Sequence, residues 1–411
     1  MDHRRRLHLY FPENDIALAR DLSNFTPPLP ALQMRLCGQC LPMWYGEDGD
    51  AFVDYGIDNH WYAATSEAFG LKVDTMPKCP DGYMPEPWGW SRASRKLFLN
   101  AGIHPEALPD DRALARMRML SSRRTAALLG RALADSLPFA VTDPPQVFSD
   151  IDALTEYISR TPQGCIAKMP WSNAGRGNID STAIPSAEMI RRCADSIKRY
   201  GMICIEPRHS RVVDFAMLWT ARDDGTVEYN GLSLFETTDT GAYTANVILP
   251  DSDIRNRLQQ YIPAQQLDTV TQTMRPALEN IIDGAYHGPL GVDMLVARTD
   301  AGYVLDAVVE VNMRRTMGHV AHTLATRHLA EGSTGRMYVN IADRETANSR
   351  GCEPTEECDI DASGRLRHGR INLTPPTGRF RYIFETTTQT RPSSTFNSYA
   401  GMRLTVSTSD C

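Results

Sequence analysis

The chain lacks any apolar run of the roughly 20 residues that a membrane-crossing helix needs, so no transmembrane span is expected. After MDHRRR, the apolar stretch LHLYF is too short for the core of a secretory signal and leads directly into Pro12-Glu13-Asn14-Asp15. A cytoplasmic protein is therefore expected. A cysteine framework is missing as well: the 9 cysteines are scattered, which suits reduced thiols. Cys37-Gly-Gln-Cys40 stands alone, without a second ligand pair at zinc spacing, and coincidence on a helix explains it better than a metal or redox site. Basic excess is absent too. A formal charge of -7 argues against a general nucleic-acid binder, because release of counterions needs a basic surface. The clusters Arg4 to Arg6 and Arg123-Arg124 are short, and the first reads as a solvated face. Neither an internal repeat nor a low-complexity run occurs.

What is present is ordinary globular composition, 42% hydrophobic and 23% charged, over 411 residues. Such a length calls for roughly two to four packed units. Residues 7–11 read as a buried strand, with Asn14 or Asp15 capping the helix after it. The segment from Phe25 turns through prolines into a helix and another strand. Pro85-Glu-Pro-Trp88-Gly-Trp90-Ser91 reads as a rigid loop ending in a helix cap. Residues 114–133 are helix-rich, and Pro138 closes them. Strand-like segments then recur at 165–169, 202–207, 212–221, 230–237 and 243–249, with helices at 186–199 and 252–284. Residues 291–312 read as a long hairpin turning at Asp300-Ala-Gly302. The tail after about 345 is polar, with strands near 370–374 and 380–387.

The strongest chemical signal is Glu310-Val-Asn312 on the second hairpin strand, with Asp293 on the first. Residues i and i+2 of a strand face one way, so Glu310 and Asn312 share a face. A turn at 300–302 puts Asp293 opposite residue 309, give or take one. Three oxygen-bearing side chains can thus meet, and hard oxygen ligands suit magnesium with phosphates completing its shell. Surface polar residues of an exposed hairpin are the competing reading. The apolar neighbours Val308, Val309 and Val311 weaken it, since buried acids side by side repel unless a cation lies between them.

A second segment, Lys168-Met-Pro-Trp-Ser172-Asn-Ala-Gly175-Arg176-Gly177, delivers a lysine from a strand into a loop of small residues. Such a loop lets backbone N–H groups approach phosphate. Gly-rich turns after strands are common, however, and the spacing fits neither a Walker A loop nor a dinucleotide fingerprint. In the third, Ile203-Cys-Ile-Glu206-Pro-Arg-His209, a short hinge follows an apolar strand and could offer backbone groups to an adenine ring. Asp214 lies eight residues beyond Glu206, where it could bind ribose hydroxyls.

Taken in order, a strand lysine, a Gly-rich loop, a strand ending in Glu, a downstream acid and Asp…Glu-x-Asn-x-Arg resemble the ATP-grasp superfamily over roughly residues 115–330. The most specific piece is GVDMLV…VVEVNMRRTMG. The resemblance implies an α+β fold with an α/β N-terminal domain: two ATP-gripping α+β subdomains behind a Rossmann-like pre-ATP-grasp domain. Expected boundaries are 1–113 for the N-terminal domain, 114–345 for the ATP-grasp domain with its lid at about 138–206, and 346–411 for a polar extension with short strands. By position, Asp293, Glu310 and Asn312 look like the magnesium ligands, with manganese a possible substitute. Lys168 resembles the lysine on the α- and β-phosphates of ATP. Ser172, Gly175, Arg176 and Gly177 resemble the mobile loop over them. Glu206 and the residues to His209 match the adenine hinge, and Asp214 the ribose acid. Arg314 resembles the arginine that holds the activated carboxylate or its phosphate. Where the family usually has a second lysine, this chain has Ser-Arg123-Arg124-Thr, so one arginine has to serve, keeping the charge but not the shape.

FPENDIALA, with TPP and the PWGWS loop, resembles a group of bacterial ATP-grasp proteins of uncharacterised activity. Asn14 and Asp15 are thus candidate acceptor-binding residues, with helix capping as the alternative. Thr240 and Tyr243, in ETTDTGAY, are candidates for shaping acceptor specificity. The implied activity is ligation of a small-molecule carboxylate to an amine, an amino acid or peptide among them, through an acyl phosphate. A kinase-like phosphotransferase and a non-catalytic ATP-binding regulator are the alternatives. No general base stands out; His319 and His322 are available, although a helical histidine is more often structural.

Overall fold

The computed structural model describes residues 4–78, 82–140, 144–161, 164–172, 178–184, 186–238, 242–341 and 358–388. The expected plan, an α/β unit in front of two α+β units, is what the chain adopts.

In the first unit, strand β1 (Arg6–Leu9) is followed by α1 (Asn14–Arg20), α2 (Leu29–Gly38) and α3 (Pro42–Tyr45). Then come β2 (Ala51–Val53), α4 (Asn59–Phe69), β3 (Asp74–Met76), β4 (Met84–Pro87) and α5 (Arg92–Ala101). All four strands are parallel, in the order β3-β2-β1-β4. The chain moves outward from β1 to β3 and then crosses to the other side of β1. The loops after β1 and β4 therefore sit together at a switch point, where open α/β sheets form a crevice.

Three local expectations change. The segment after α2 is the short helix α3 instead of a strand, and Pro42 occupies its first position, where a missing N–H costs nothing. Residues 84–87 form a strand, not only a loop. Met84 N–H donates to Arg5 O and Trp88 N–H to Leu9 O, so Pro85 and Pro87 turn toward the free edge. Neither Asn14 nor Asp15 caps α1: the capping position is Glu13 and no side chain caps it, because Asn14 and Asp15 have other neighbours described below. Ser91 does cap α5, in a reciprocal box with Ser94.

Helices α6 (Asp111–Leu120) and α7 (Arg124–Leu133) lead to a small second unit. It holds β5 (Gln146–Phe148), α8 (Ile151–Ser159), β6 (Cys165–Lys168), β7 (Ile179–Asp180), α9 (Ser186–Tyr200) and β8 (Ile203–Pro207). The strands are antiparallel in the order β5-β8-β6-β7. Cys165, Ala167, Ile203 and Ile205 pack inward against Leu154 of α8 and Met189 and Cys193 of α9. By the period of two, Lys168, Cys204 and Glu206 face the other way, toward the third unit.

The third unit is built on a nine-stranded antiparallel sheet. Its first strands are β9 (Ser210–Ala221), β10 (Val227–Thr237) and β11 (Tyr243–Ile248). Helices α10 (Asp251–Leu258) and α11 (Ala264–Ile282) follow, then the hairpin β12 (Gly288–Thr299) and β13 (Gly302–Asn312). After α12 (Met317–Thr323) and a π-helical turn come β14 (Ser333–Ile341), β15 (Asp359–Ile360), β16 (Leu366–Asn372) and β17 (Phe380–Thr388). The order is β13-β12-β9-β10-β11-β14-β17-β16-β15. The tail strands, expected in a separate extension, thus continue this sheet, with β17 paired along the whole of β14. Tail residues also enter the core of the first unit: Tyr382 O–H and Tyr10 O–H share a 2.7 Å hydrogen bond, and Trp44 Nε1 donates to Leu373 O at 2.8 Å.

The large sheet has two unlike faces. Phe215, Met217, Trp219, Leu232, Leu234, Val292 and Met294 form one core with α7 and α11. Alternate residues, Asp214, Ala216, Ser233, Gly291 and Asp293, face the other side, which carries the candidate site.

Candidate active site

Cross-strand register arranges that polar face in rows. Asp214 of β9 pairs with Leu295 of β12, which pairs with Asp306 of β13. One step along, Ala216 pairs with Asp293, and Asp293 with Glu310. In the next row, Leu218 pairs with Gly291, and Gly291 with Asn312. Gly291, in the row beside the acids, faces Thr316 and His319, 3.5 to 3.9 Å from where a Cβ would stand. Asp293 faces residue 310, one beyond 309, because β13 bulges: between the pairs Asp293–Glu310 and Leu295–Asp306, three β13 residues oppose one on β12.

Asp293 and Glu310 are therefore directly opposite, and Asn312 Nδ2 donates to Asp293 Oδ2 at 3.0 Å. Burial, and next the charge of Glu310, push the Asp293 carboxyl well above the usual carboxylate range, against the pull of Arg314, the Asn312 hydrogen bond and Arg123. Arg123 is 6% exposed and its Nη1 lies 2.9 Å from Glu310 Oε2. Burial opposes its charge, but Glu310 and Glu206 hold its pKa above the usual value. Arg124, at the start of α7, is exposed and faces away. Of the two arginines, Arg123 is the one that enters the cleft.

Lys168 is buried and ion-paired with Glu206, so the lysine expected on phosphates and the acid expected in the hinge face each other across β6 and β8. The base of the following loop is pinned. Arg123 N–H donates to Pro170 O at 2.9 Å, Trp171 Nε1 donates to Arg118 O at 3.0 Å, and the Arg118 guanidinium lies 3.6 Å from the Trp171 ring centroid. Ser172 Oγ accepts from Arg123 Nη2 at 3.4 Å. Gly175, Arg176, Gly177 and Thr240 lie outside the described residues.

From the first unit, Asp15 reaches the same place. Arg314 Nη2 donates to Asp15 Oδ2 at 2.9 Å, and its Nε lies 3.2 Å from the same oxygen. A Cβ on Gly89 would stand 2.5 Å from Asn14 Nδ2 and 3.0 Å from Arg314 Cβ, so glycine is what lets the β4 loop close over this pair. A narrow cleft, continuous with solvent, opens between Asp15, Arg123, Trp171, Glu310 and Arg314.

The remaining candidates, Asn14 excepted, lie apart from this cluster. Asp214 is 8% exposed, ion-paired with Arg211, and accepts from Thr237 Oγ1 at 2.7 Å. Tyr243 O–H donates to Asn246 Oδ1 at 2.6 Å on β11. Asn14 is buried beneath Gly89. His319 is structural: its Nδ1 accepts from Thr316 N–H at 3.1 Å, and burial drives its pKa down to about 3, so it holds no proton near neutrality. Asp306, whose Oδ2 lies 3.6 Å from His209 Nε2, is a site-facing acid that no sequence pattern singled out. Its one signal was an acid inside an otherwise apolar strand.

Among the described residues no group of three or more His, Cys, Asp and Glu side chains is placed to hold a metal ion. Two carboxylates and one carboxamide oxygen are what Asp293, Glu310 and Asn312 offer. Hard oxygen donors of this kind fit a magnesium ion that also binds phosphates.

The sequence matches no protein-family model and no curated protein. Solved structures do match. N5-carboxyaminoimidazole synthetase from Staphylococcus aureus, complexed with ADP, is 11% identical, covering 95% of this chain and 95% of that one at a TM-score of 0.46. Biotin carboxylase from Campylobacter jejuni is 10% identical, covering 93% and 87% at 0.49. N5-carboxyaminoimidazole synthase from Aspergillus clavatus, with ADP and 5-aminoimidazole ribonucleotide, is 11% identical, covering 82% and 93% at 0.42. At these scores the likeness decides nothing about chemistry, which rests on the residues of this chain.

Proposed function

We propose that the chain is an ATP-grasp carboxylate–amine ligase that spends ATP to make an acyl phosphate and releases ADP and phosphate. The observation that carries this reading is the direct opposition of Asp293 and Glu310, with Asn312 bonded to Asp293 and the buried cation Arg123 and half-buried Arg314 beside them. Two adjacent, largely buried acids are costly without a cation to share. Bound there by Asp293, Glu310 and Asn312, magnesium would neutralise charge on the β- and γ-phosphates, and manganese could take its place.

The chain's own side chains then do the positioning. Lys168, released from Glu206, meets the α- and β-phosphates as a point charge. Arg123 faces the developing charge on the leaving ADP from a fixed, buried place. Arg314 holds the acceptor carboxylate in line with the γ-phosphorus, and Asp15 fixes its fork. A carboxylate oxygen bonds to the γ-phosphorus as the bond to the β–γ bridging oxygen breaks, and ADP departs with that electron pair. The amine nitrogen next attacks the acyl carbon, phosphate leaves, and the amine's proton passes to solvent. Positioning and preorganised charge suffice for such transfer, so a protein nucleophile is not needed.

The test is ADP release from Mg-ATP in the presence of pooled amino acids and small carboxylates, for wild type and Glu310→Gln. Release that requires the pool and disappears in the variant supports the ligase. Release unaffected by Glu310→Gln would refute the site.

A further inference from the structure

On the polar face of the large sheet, one small patch is apolar. Leu295, Ala297 and Val309, with Val304 against them, form a separate cluster away from the main cores. Leu295 is its centre, and it is flanked in register by two acids, Asp214 on one neighbouring strand and Asp306 on the other. At about 4.8 Å per strand spacing, the two acids stand roughly 10 Å apart across the patch. The magnesium candidates Asp293 and Glu310 occupy the row two β12 residues away, roughly 7 Å along the strands. A flat apolar floor with an acid at each side and a phosphate-binding row ahead has the layout of a nucleoside triphosphate: base on the floor, sugar at one acid, base edge at the other.

Asp214 is the sugar-side candidate, which leaves Asp306 without a task. Its placement is specific. It begins the β13 bulge, its Oδ1 accepts from Val308 N–H at 3.2 Å, and its Oδ2 is 3.6 Å from His209 Nε2, in the segment that follows hinge strand β8. Each oxygen keeps a further lone-pair direction, since an ionised carboxylate accepts about four hydrogen bonds. Its side chain is only 19% exposed; burial raises its pKa and nearby Glu206 adds to that, while His209, the Val308 N–H and Lys168 favour the charged form.

We infer that Asp306 reads the nucleobase: its carboxylate accepts a hydrogen bond from the 6-amino group of adenine, with His209 as the positioning residue that aims it. The 6-amino group is the one N–H donor on the adenine ring of ATP, so a carboxylate at the base edge has no other partner there. This assignment rests on the ATP reading above and names a residue for it.

The experiment compares equilibrium binding of Mg-ATP with that of Mg-purine riboside 5′-triphosphate, which lacks only the 6-amino group. A hydrogen bond to a charged group makes the expected preference of wild type for ATP roughly ten- to a hundredfold. In Asp306→Ala the two nucleotides should bind within about twofold of each other. The variant should lose affinity for ATP and not for the analogue, a selective loss that a purely structural role would not give. Equal binding of both nucleotides to wild type, or an unchanged ratio in the variant, overturns the role of Asp306 and leaves the ATP site standing. Failure of wild type to bind either nucleotide overturns both. The wild-type comparison needs no variant, so misfolding of Asp306→Ala does not shelter the assignment.

Discussion

Arg314 and Asp15 are 299 residues apart in the chain, yet their side chains form a two-nitrogen contact, with Nη2 2.9 Å and Nε 3.2 Å from Asp15 Oδ2. The pair joins the helix after the first strand of the N-terminal sheet to the end of the metal-candidate strand. It lies on the wall of the cleft, with side chains 14% and 11% exposed. One contact thus couples the crevice of the first unit to the acidic row of the third.

Asp15→Ala should therefore act on both stability and acceptor binding. Removing one partner of a buried pair leaves an uncompensated charge, worth about 3 kcal/mol at the lower end of the range for such losses. Urea denaturation should show this loss, and the KM for the carboxylate acceptor should rise more than the KM for ATP. An equal rise in both would place Asp15 outside the acceptor side.

The two adjacent arginines should separate cleanly. Arg123 is buried against Glu310, and Arg124 is exposed at the start of its helix. Arg123→Ala should lower kcat for ADP release by roughly a hundredfold or more, as loss of one preorganised donor does. Arg124→Ala should leave the rate within about twofold, as surface substitutions do. Steady-state kinetics on both variants decide it.

Glu13 makes a prediction about pH. It is 1% exposed, and Arg35 Nη1 lies 3.1 Å from its Oε1 without hydrogen-bond alignment. Burial outweighs Arg35 and pushes its carboxyl up from 4.5 to about 7. Between these values the folded chain keeps a proton that the unfolded chain has released, so the stability this group gives is complete below about pH 4.5 and lost as pH rises through about 7. Glu13→Gln should remove that loss, of order 3 kcal/mol at 1.36 kcal/mol per unit. Denaturation of both proteins from pH 4.5 to 8 should show wild type falling relative to the variant; parallel curves would contradict it.

What the sequence made legible follows interaction range. The hairpin was readable because its alternation and its turn at Asp300-Ala-Gly302 are local, and they bring Asp293 to Glu310 within one residue of the expected register. The bulge that shifts the register was not readable, and Asp306 at its start was missed with it. Asp15 looked like a helix cap because capping is the local use of an acid at that place, whereas its partner lies at the far end of the chain. Strands of three residues such as Ala51–Val53 and Asp74–Met76 carry too little pattern to stand out. The tail strands looked independent because the pairing of Phe380–Thr388 with Ser333–Ile341 is set by tertiary packing and not by local sequence.

The central claim is that Asp293, Glu310 and Asn312 hold a divalent cation that in turn holds ATP. Titration of ATP into wild type and Glu310→Gln, with magnesium and then with excess EDTA, tests it most directly. The account predicts that wild type loses at least tenfold in ATP affinity when magnesium is removed, and that Glu310→Gln shows little difference between the two conditions. Wild-type affinity that ignores magnesium, or a variant that keeps the full dependence, would contradict it.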